Sequence, residues 1–256
     1  MIRVIGIPYE GGENFLKGTT LAPAKIRWAM ESIEIYSIYQ NEYLPEYEDL
    51  GDFIPHEGSH RDILSSIEKH LTEVVAEPFG VLGGDHSVTL PVVRAMKKVT
   101  DDFYVLHLDA HLDMRDEYYG NRYSHATVLR RIVEEIGEDR VISLGYRSTI
   151  PDEEYAPRFS APFEVYKPLI AMLSRLEPER IYLTLDLDVL DPAEFPAVSN
   201  PEPGGISFKE LIEAITALRG RLIGFDLVEF NPAVYPGHYP AVTAAVILRE
   251  LLIALK

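Results

Sequence analysis

Two kinds of apolar segment alternate along the chain. Short apolar runs bounded by Gly, Pro or Asp are typical of buried strands, and longer segments with apolar residues three and four positions apart are typical of helices packed on a sheet. This alternation predicts an α/β fold with a single domain, residues 1–256, built of three αβα layers in which the middle layer is a mostly parallel, doubly wound sheet. The predicted strands are residues 3–7, 79–82, 103–108, 140–144, 180–185 and 222–227, and the predicted helices are residues 63–75, 88–98, 127–136 and 208–218.

The C-terminal segment has the clearest helical period. Arg249 and Glu250 are predicted to lie on the solvent face of this helix. Trp28, which lies among apolar helical positions near the N-terminus, is predicted to belong to the core. The apolar face of the C-terminal helix consists of Ala244, Ile247, Leu248, Leu251 and Leu252.

Five longer stretches follow neither period, and they are expected to be irregular. They are residues 10–23, 39–58, 112–125, 148–162 and 191–205. In doubly wound sheets, ligands bind at the carboxyl ends of the strands. We therefore expect the chemistry of this protein in loops that follow strands.

Composition and charge limit the possible partners. The 256 residues are 46% hydrophobic and 25% charged, as in an ordinary soluble protein. A formal charge of -17 argues against nucleic acid or an anionic membrane as partner and is compatible with a cationic ligand. The N-terminus does not resemble a signal peptide, and no apolar run is long enough for a membrane span, so a cytoplasmic location is predicted.

Acidic and histidine residues follow three of the predicted strands. Each group alone has an ordinary explanation, such as helix capping by Asp85 or a solvated loop. Together they place four carboxylates and two imidazoles at one edge of the sheet, where two divalent cations would neutralise the carboxylates. Because the chain has no cysteine, Mn²⁺ or a similar first-row ion suits the site, and an ion pair ~3.5–4 Å apart can activate a water. The residues are His86, Asp109, His111, Asp113, Asp186 and Asp188.

These motifs resemble the signatures of the ureohydrolase family, which contains arginases and agmatinases. The match covers most of the chain in the family's order. One departure lies at residues 196–201, Pro-Ala-Val-Ser-Asn-Pro, where the family usually has Pro-Gly-Thr-Gly-Thr-Pro; this loop is expected to border the substrate pocket. The matching segments are Gly-Gly-Asp-His-Ser at 83–87, Asp-Ala-His-Leu-Asp at 109–113, Thr-Leu-Asp-Leu-Asp-Val-Leu-Asp-Pro at 184–192 and Pro-Glu-Pro-Gly-Gly at 201–205, with similar ends at 5–8 and 228–232.

The resemblance implies an arginase-like fold, a metal-dependent cleavage of a guanidinium group to urea, and a homo-oligomer, a trimer or a hexamer. In the implied reaction Asp113 orients the attacking water, His125 gives a proton to the leaving amine, and Glu229 pairs with the guanidinium. His107 is expected to support the site from the core and not to be a ligand. The resemblance implies two Mn²⁺ ions, one held by His86, Asp109, Asp113 and Asp186 and the other by Asp109, His111, Asp186 and Asp188.

The substrate is expected to be a small cationic guanidine. Arg115 stands where arginases have an Asn that recognises the α-carboxylate, so the sequence favours agmatine or N1-aminopropylagmatine, with arginine third. A guanidino or formimino acid is an alternative if Arg115, Arg122 or Arg147 pairs with a substrate carboxylate. A non-catalytic metal-binding homologue is the alternative from a different class.

Overall fold

Residues 1–11, 15–151 and 157–256 are described by the computed structural model. Residues 12–14 and 152–156, which belong to two stretches predicted to be irregular, lie outside the described residues. The strands are β1 Ile2–Ile7, β2 Tyr36–Ser37, β3 Glu42–Tyr43, β4 Tyr47–Asp52, β5 Phe79–Gly83, β6 Tyr104–Leu108, β7 Val141–Leu144, β8 Phe159–Ala161, β9 Ile181–Asp186 and β10 Leu222–Val228. The helices are α1 Ala22–Met30, α2 His60–Leu71, α3 Thr89–Val99, α4 Val128–Ile136, α5 Tyr166–Leu176, α6 Phe208–Ala217 and α7 Tyr239–Ala254.

Eight strands form one sheet in the order β4-β1-β5-β10-β9-β6-β7-β8, and all neighbouring strands in it are parallel. The strands β2 and β3 form a separate antiparallel hairpin. The central strands are buried on both faces, which is why they read as continuous apolar runs. Along β9, for example, Leu183 and Leu185 face one core and Tyr182 faces the other.

Helices cover both faces of the sheet and give the predicted three layers. Apolar residues of α1, α5, α6 and α7 belong to the core on one face, and those of α2, α3 and α4 belong to the core on the other. Side-chain caps fix where two of these helices begin: Ser59 accepts from the amide of Asp62 before α2, and Ser207 accepts from Glu210 before α6. The predicted α/β class with a doubly wound sheet is confirmed.

The elements that the sequence pattern missed lie mostly at the margins of the sheet. β4 falls within the stretch 39–58, and it is largely exposed because it is an edge strand, so it carries no apolar alternation. β8 is a three-residue strand at the opposite edge, within the stretch 148–162. Neither α1 nor α5 is among the predicted helices, because each buries only a narrow apolar stripe.

The prediction of solvent exposure was wrong for three side chains. Arg249 and Glu250 are buried in α7, where the Arg249 Nη2 donates to the Glu250 carboxylate at 2.7 Å. Ser37 and Gln40 of the β2–β3 region also donate to that carboxylate. This face of α7 therefore packs against the β2–β3 region through buried hydrogen bonds and does not face solvent as predicted. Trp28 is 48% exposed, and its ring lies 5.0 Å from that of His238.

Among the residues described, no helix is long and apolar enough to cross a membrane.

Candidate metal centre

The predicted site residues follow four strands that are neighbours in the sheet. In the order β5-β10-β9-β6, these strands are followed by loops that carry His86, Glu229, Asp188 and Asp109. Because the strands are parallel, their carboxyl ends meet at one edge, and residues up to 143 positions apart come into contact there.

A cavity of about 250 Å³ opens at this edge. Seven of the eight predicted site residues line it, and the eighth, Asp109, is buried beside them with 1% of its surface exposed. The structure therefore brings the whole predicted set together. The seven are His86, His111, Asp113, His125, Asp186, Asp188 and Glu229.

One candidate ligand group is centred on the ring of His86. Its Nδ1 lies 3.0 Å from Asp109 Oδ2, 3.2 Å from Asp186 Oδ2 and 3.5 Å from Asp113 Oδ2. Although these atoms are close, His86 Nδ1 and Asp109 Oδ2 make no hydrogen bond of good geometry. Buried nitrogen and oxygen donors that converge without bonding one another are the arrangement expected of ligands for a common cation.

A second candidate group shares Asp109 with the first. His111 Nδ1 lies 2.9 Å from Asp188 Oδ2 and 3.4 Å from Asp109 Oδ1. The ligand atoms of Asp109, His111 and Asp188 all lie within 4.8 Å of one another, as do those of His86, His107, Asp109 and Asp113. Asp186 lies next to both groups, because its Oδ2 is 3.2 Å from His86 Nδ1 and its Oδ1 accepts a hydrogen bond from the amide of Asp188 at 2.8 Å.

The charges of the site also fit two cations. Burial and the neighbouring Asp109 carboxylate raise the pKa of Asp113 well above its ordinary value, and burial with Asp188 and Asp109 does the same to Asp186. Burial alone would lower the pKa of His86, but the carboxylates of Asp109 and Asp186 raise it well above its usual range. Without a metal the cluster thus retains protons, which divalent ions would displace. An oxygen-rich, imidazole-containing, thiolate-free donor set suits Mn²⁺ and similar ions.

A chain of hydrogen bonds behind His86 orients its ring. Thr184 Oγ1 lies 2.9 Å from His86 Nε2 and donates at 2.7 Å to Asp226 Oδ1, while Tyr182 donates to the other oxygen of Asp226. Because the Thr184 proton is committed to Asp226, the Thr184 oxygen accepts from His86 Nε2, which leaves Nδ1 facing the carboxylates. Thr184, Asp226 and Tyr182 are buried, and sequence reasoning had assigned none of them a role.

His107 supports the first group from the core. It is fully buried, its Nδ1 lies 3.0 Å from Ser143 Oγ, and its Nε2 lies 3.0 Å from Asp109 Oδ2. Its ring stacks on that of His86 with 5.1 Å between centroids. This position agrees with a residue that orients a ligand carboxylate.

Two of the predicted catalytic residues have a left-handed backbone. The φ angles are 53° at Asp113 and 62° at Glu229, which is uncommon for residues other than Gly. Glu229 Oε1 accepts a hydrogen bond from the amide of His86 at 2.8 Å, so the turn after β10 fixes this carboxylate in the cavity wall. Burial and the Asp85 carboxylate raise the pKa of Glu229 well above its ordinary value, and a cationic ligand would lower it again.

A family model described as the arginase family matches residues 1–254. The chain belongs to the arginase family. It is 38% identical to an agmatinase of Halalkalibacterium halodurans, over 98% of this chain and 90% of that protein. It is also 35% identical to the mitochondrial arginase 1 of Arabidopsis thaliana, over 97% of this chain and 79% of the relative. The crystal structure of an agmatine ureohydrolase of Thermoplasma volcanium superposes with a TM-score of 0.86 at 31% identity, covering 99% of this chain and 89% of that one.

Membership in this family makes the protein an agmatinase-like ureohydrolase, an enzyme that hydrolyses a guanidino C–N bond. The His and Asp residues that converge at the carboxyl edge of the sheet agree with an enzyme of this class.

The three arginines that could have recognised a substrate carboxylate have different partners in the structure. Arg147 donates to several backbone carbonyls, including that of Asp188 at 2.8 Å. Arg122 pairs with Asp116 at 3.1 Å. Arg115 lines the cavity with its guanidinium 5.2 Å from the Tyr118 ring, and no ion pair is seen for it in the described ranges.

Glu202 and Asn200 are among the cavity residues to which the sequence alone gave no role. Glu202 lies in the matched segment 201–205, and Asn200 lies in the segment 196–201 that departs from the family pattern. The departing loop therefore does border the cavity, as expected. Asp191 stabilises the turn in this part of the chain, because its carboxylate accepts hydrogen bonds from the amides of Ala193, Gly204 and Gly205.

Proposed function

We propose that this ureohydrolase converts agmatine and water into putrescine and urea with two Mn²⁺ ions. The observation that carries the proposal is that two groups of His and Asp ligands share Asp109 next to the buried carboxylate of Glu229, in one cavity. The agmatinase relatives support agmatine as the substrate.

The residues that would hold the ions are His86, Asp109, Asp113 and Asp186 for one, and Asp109, His111, Asp186 and Asp188 for the other. When bound, the ions neutralise these carboxylates and activate a water for attack on the guanidinium carbon.

The remaining steps are performed by side chains. Glu229 pairs with the planar guanidinium and orients its carbon toward the two ligand groups. Asp113 accepts a hydrogen bond from the attacking water, and its left-handed backbone fixes the direction of that carboxylate. His125 gives a proton to the departing amine nitrogen as the C–N bond breaks, so the products are urea and a protonated amine.

The position of His125 at the wall of the cavity supports this proposed role. Its side chain is largely buried, its Nδ1 lies 3.3 Å from Ser124 Oγ, and its ring packs edge-on against Tyr118 with 5.5 Å between centroids. With these contacts the ring remains in the lining of the cavity, to which Asp113 also belongs.

Arg115 favours a second candidate, the hydrolysis of a guanidino acid. It lines the cavity, and in the described part of the chain it pairs with no carboxylate, although the protein carries 41 acidic and 24 basic side chains. An uncompensated guanidinium at this place could bind the carboxylate of 4-guanidinobutyrate or of arginine. N1-aminopropylagmatine remains a further cationic candidate. From the sequence and the family resemblance we also propose a homo-oligomer, a trimer or a hexamer, located in the cytoplasm.

The decisive experiment measures urea release by metal-free protein reloaded with Mn²⁺. Agmatine, N1-aminopropylagmatine, arginine and 4-guanidinobutyrate are compared at equal concentration. We expect the fastest turnover with agmatine, and faster turnover of an acid would establish the Arg115 alternative. Asp109→Asn should abolish turnover, whereas Asp101→Asn, at an exposed position before β6, should not. Background rates with all four compounds would identify the chain as a non-catalytic metal-binding homologue.

A further inference from the structure

The buried residues of the cavity form its floor, and the more exposed residues form its mouth. Glu229 and Asp186 are buried, whereas the side chains of His111 and Glu202 are 25% and 36% exposed. A guanidinium bound to Glu229 would therefore lie on the floor, and Glu202 lies in the more exposed part of the same cavity.

Among the described residues that line the cavity, Glu202 is the carboxylate that neither the candidate metal groups nor guanidinium binding uses. The nearest cationic group is His111, whose Nε2 is 3.8 Å from Glu202 Oε1, which is too long for a hydrogen bond. No Lys or Arg forms an ion pair with Glu202 within the three described ranges. Its oxygens are thus available to a ligand.

Hydrogen bonds hold the backbone at Glu202 and at the two glycines that follow it. The Glu202 carbonyl accepts from Arg147 Nη2 at 2.7 Å, and the amides of Gly204 and Gly205 donate to Asp191 at 2.8 and 3.1 Å. Only the side chain of Glu202 has to be ordered when a ligand binds, which keeps the entropic cost of recognition low.

We propose that Glu202 determines substrate specificity by binding the distal ammonium of a dicationic guanidine. This inference rests on the proposed function and specifies how the substrate is chosen. Glu229 takes the guanidinium on the floor, and Glu202 takes the ammonium at the mouth, so a substrate with a cation at each end is favoured over one with a single cation. Arg115 lines the same cavity and would favour the opposite specificity, for a carboxylate tail.

The test compares agmatine with pentylguanidine, in which a methyl group replaces the ammonium at equal length. For the wild-type enzyme loaded with Mn²⁺ we expect kcat/KM to be about tenfold or more higher with agmatine, since a hydrogen-bonded charge contributes on that scale. In Glu202→Gln this ratio should fall to within about threefold of unity, mainly through KM for agmatine. Glu117→Gln is the matched control, because Glu117 is an exposed acid on the Arg115 loop that does not line the cavity; it should retain the wild-type ratio.

The metal content of each variant is measured with the kinetics. Equal losses with both substrates, or a loss of bound Mn²⁺, would show that Glu202 supports His111 and would overturn the proposal. A preference of the wild type for 4-guanidinobutyrate that disappears in Arg115→Gln would also overturn it. Urea release from pentylguanidine but no preference for agmatine refutes the role of Glu202 alone, whereas no urea from any guanidine refutes the proposed function itself.

Discussion

Replacing Thr184 with valine removes one hydroxyl while keeping the shape of the side chain. That oxygen lies 2.9 Å from His86 Nε2, 2.7 Å from Asp226 Oδ1 and 3.1 Å from Thr89 Oγ1, and all four residues are buried. Valine therefore deprives His86 Nε2 of its acceptor and leaves Asp226 with fewer donors. Tyr182 still donates to Asp226, which limits the cost at the carboxylate.

The expected magnitude follows from these contacts. A buried group left without its hydrogen-bond partner costs about 1–3 kcal/mol, so we expect Thr184→Val to lower the free energy of unfolding by about 3 kcal/mol. Because His86 would lose the contact that orients Nδ1, Mn²⁺ affinity should fall about 10- to 100-fold.

Chemical denaturation of metal-free protein measures the stability term, and calorimetric titration with Mn²⁺ measures the affinity. Thr243→Val is the matched control, because Thr243 is nearly buried and its hydroxyl donates only to the Tyr239 carbonyl of its own helix. If Thr184→Val bound Mn²⁺ like this control and unfolded at the same denaturant concentration, the role of Thr184 in orienting the His86 ring would be refuted.

Three further results are expected. Arg147→Lys should weaken Mn²⁺ binding about 10-fold or more, measured by metal content after dialysis, because lysine cannot donate to all the carbonyls that Arg147 holds around the Asp188 loop. His125→Asn should lower kcat about 100-fold while leaving metal content intact; loss of metal instead would contradict a proton-transfer role. The raised pKa values of Asp113 and Asp186 stabilise metal-free protein fully below the unfolded value of about 4 and progressively less as pH rises. Protein treated with a chelator should thus unfold more easily at about pH 8 than at about pH 5, and equal denaturation midpoints would argue against the burial of these carboxyls without metal.

Much of the fold could be predicted from the sequence because the central strands and most helices carry strong local patterns. β5, β6, β9 and β10 are buried on both faces, so their apolar runs are visible without any knowledge of their neighbours. The exposed edge strand β4 has no such pattern, because its position is defined only by pairing with β1. The apparent solvent face of α7 was wrong for a related reason: Arg249 and Glu250 are buried against Ser37 and Gln40, more than 200 residues away.

The candidate site, like the fold, could be predicted from the sequence only in part. Spacings of two residues indicated that Asp109, His111 and Asp113 act together, and the family resemblance added His125 and Glu229. The supporting residues could not be predicted, because Thr184, Asp226 and Arg147 gain their significance only from contacts with distant segments.

The sequence by itself determined which chemistry is possible. The absence of cysteine and the presence of paired Asp and His residues after buried strands limited any metal to imidazole and carboxylate ligands. The tertiary structure alone decided which loops meet, because β9 and β10 insert between β5 and β6, strands that come earlier in the chain. It also decided that Glu202 lines the cavity with its carboxylate 3.8 Å from His111 Nε2, since that depends on how Arg147 and Asp191 hold a loop in space and not on any local pattern.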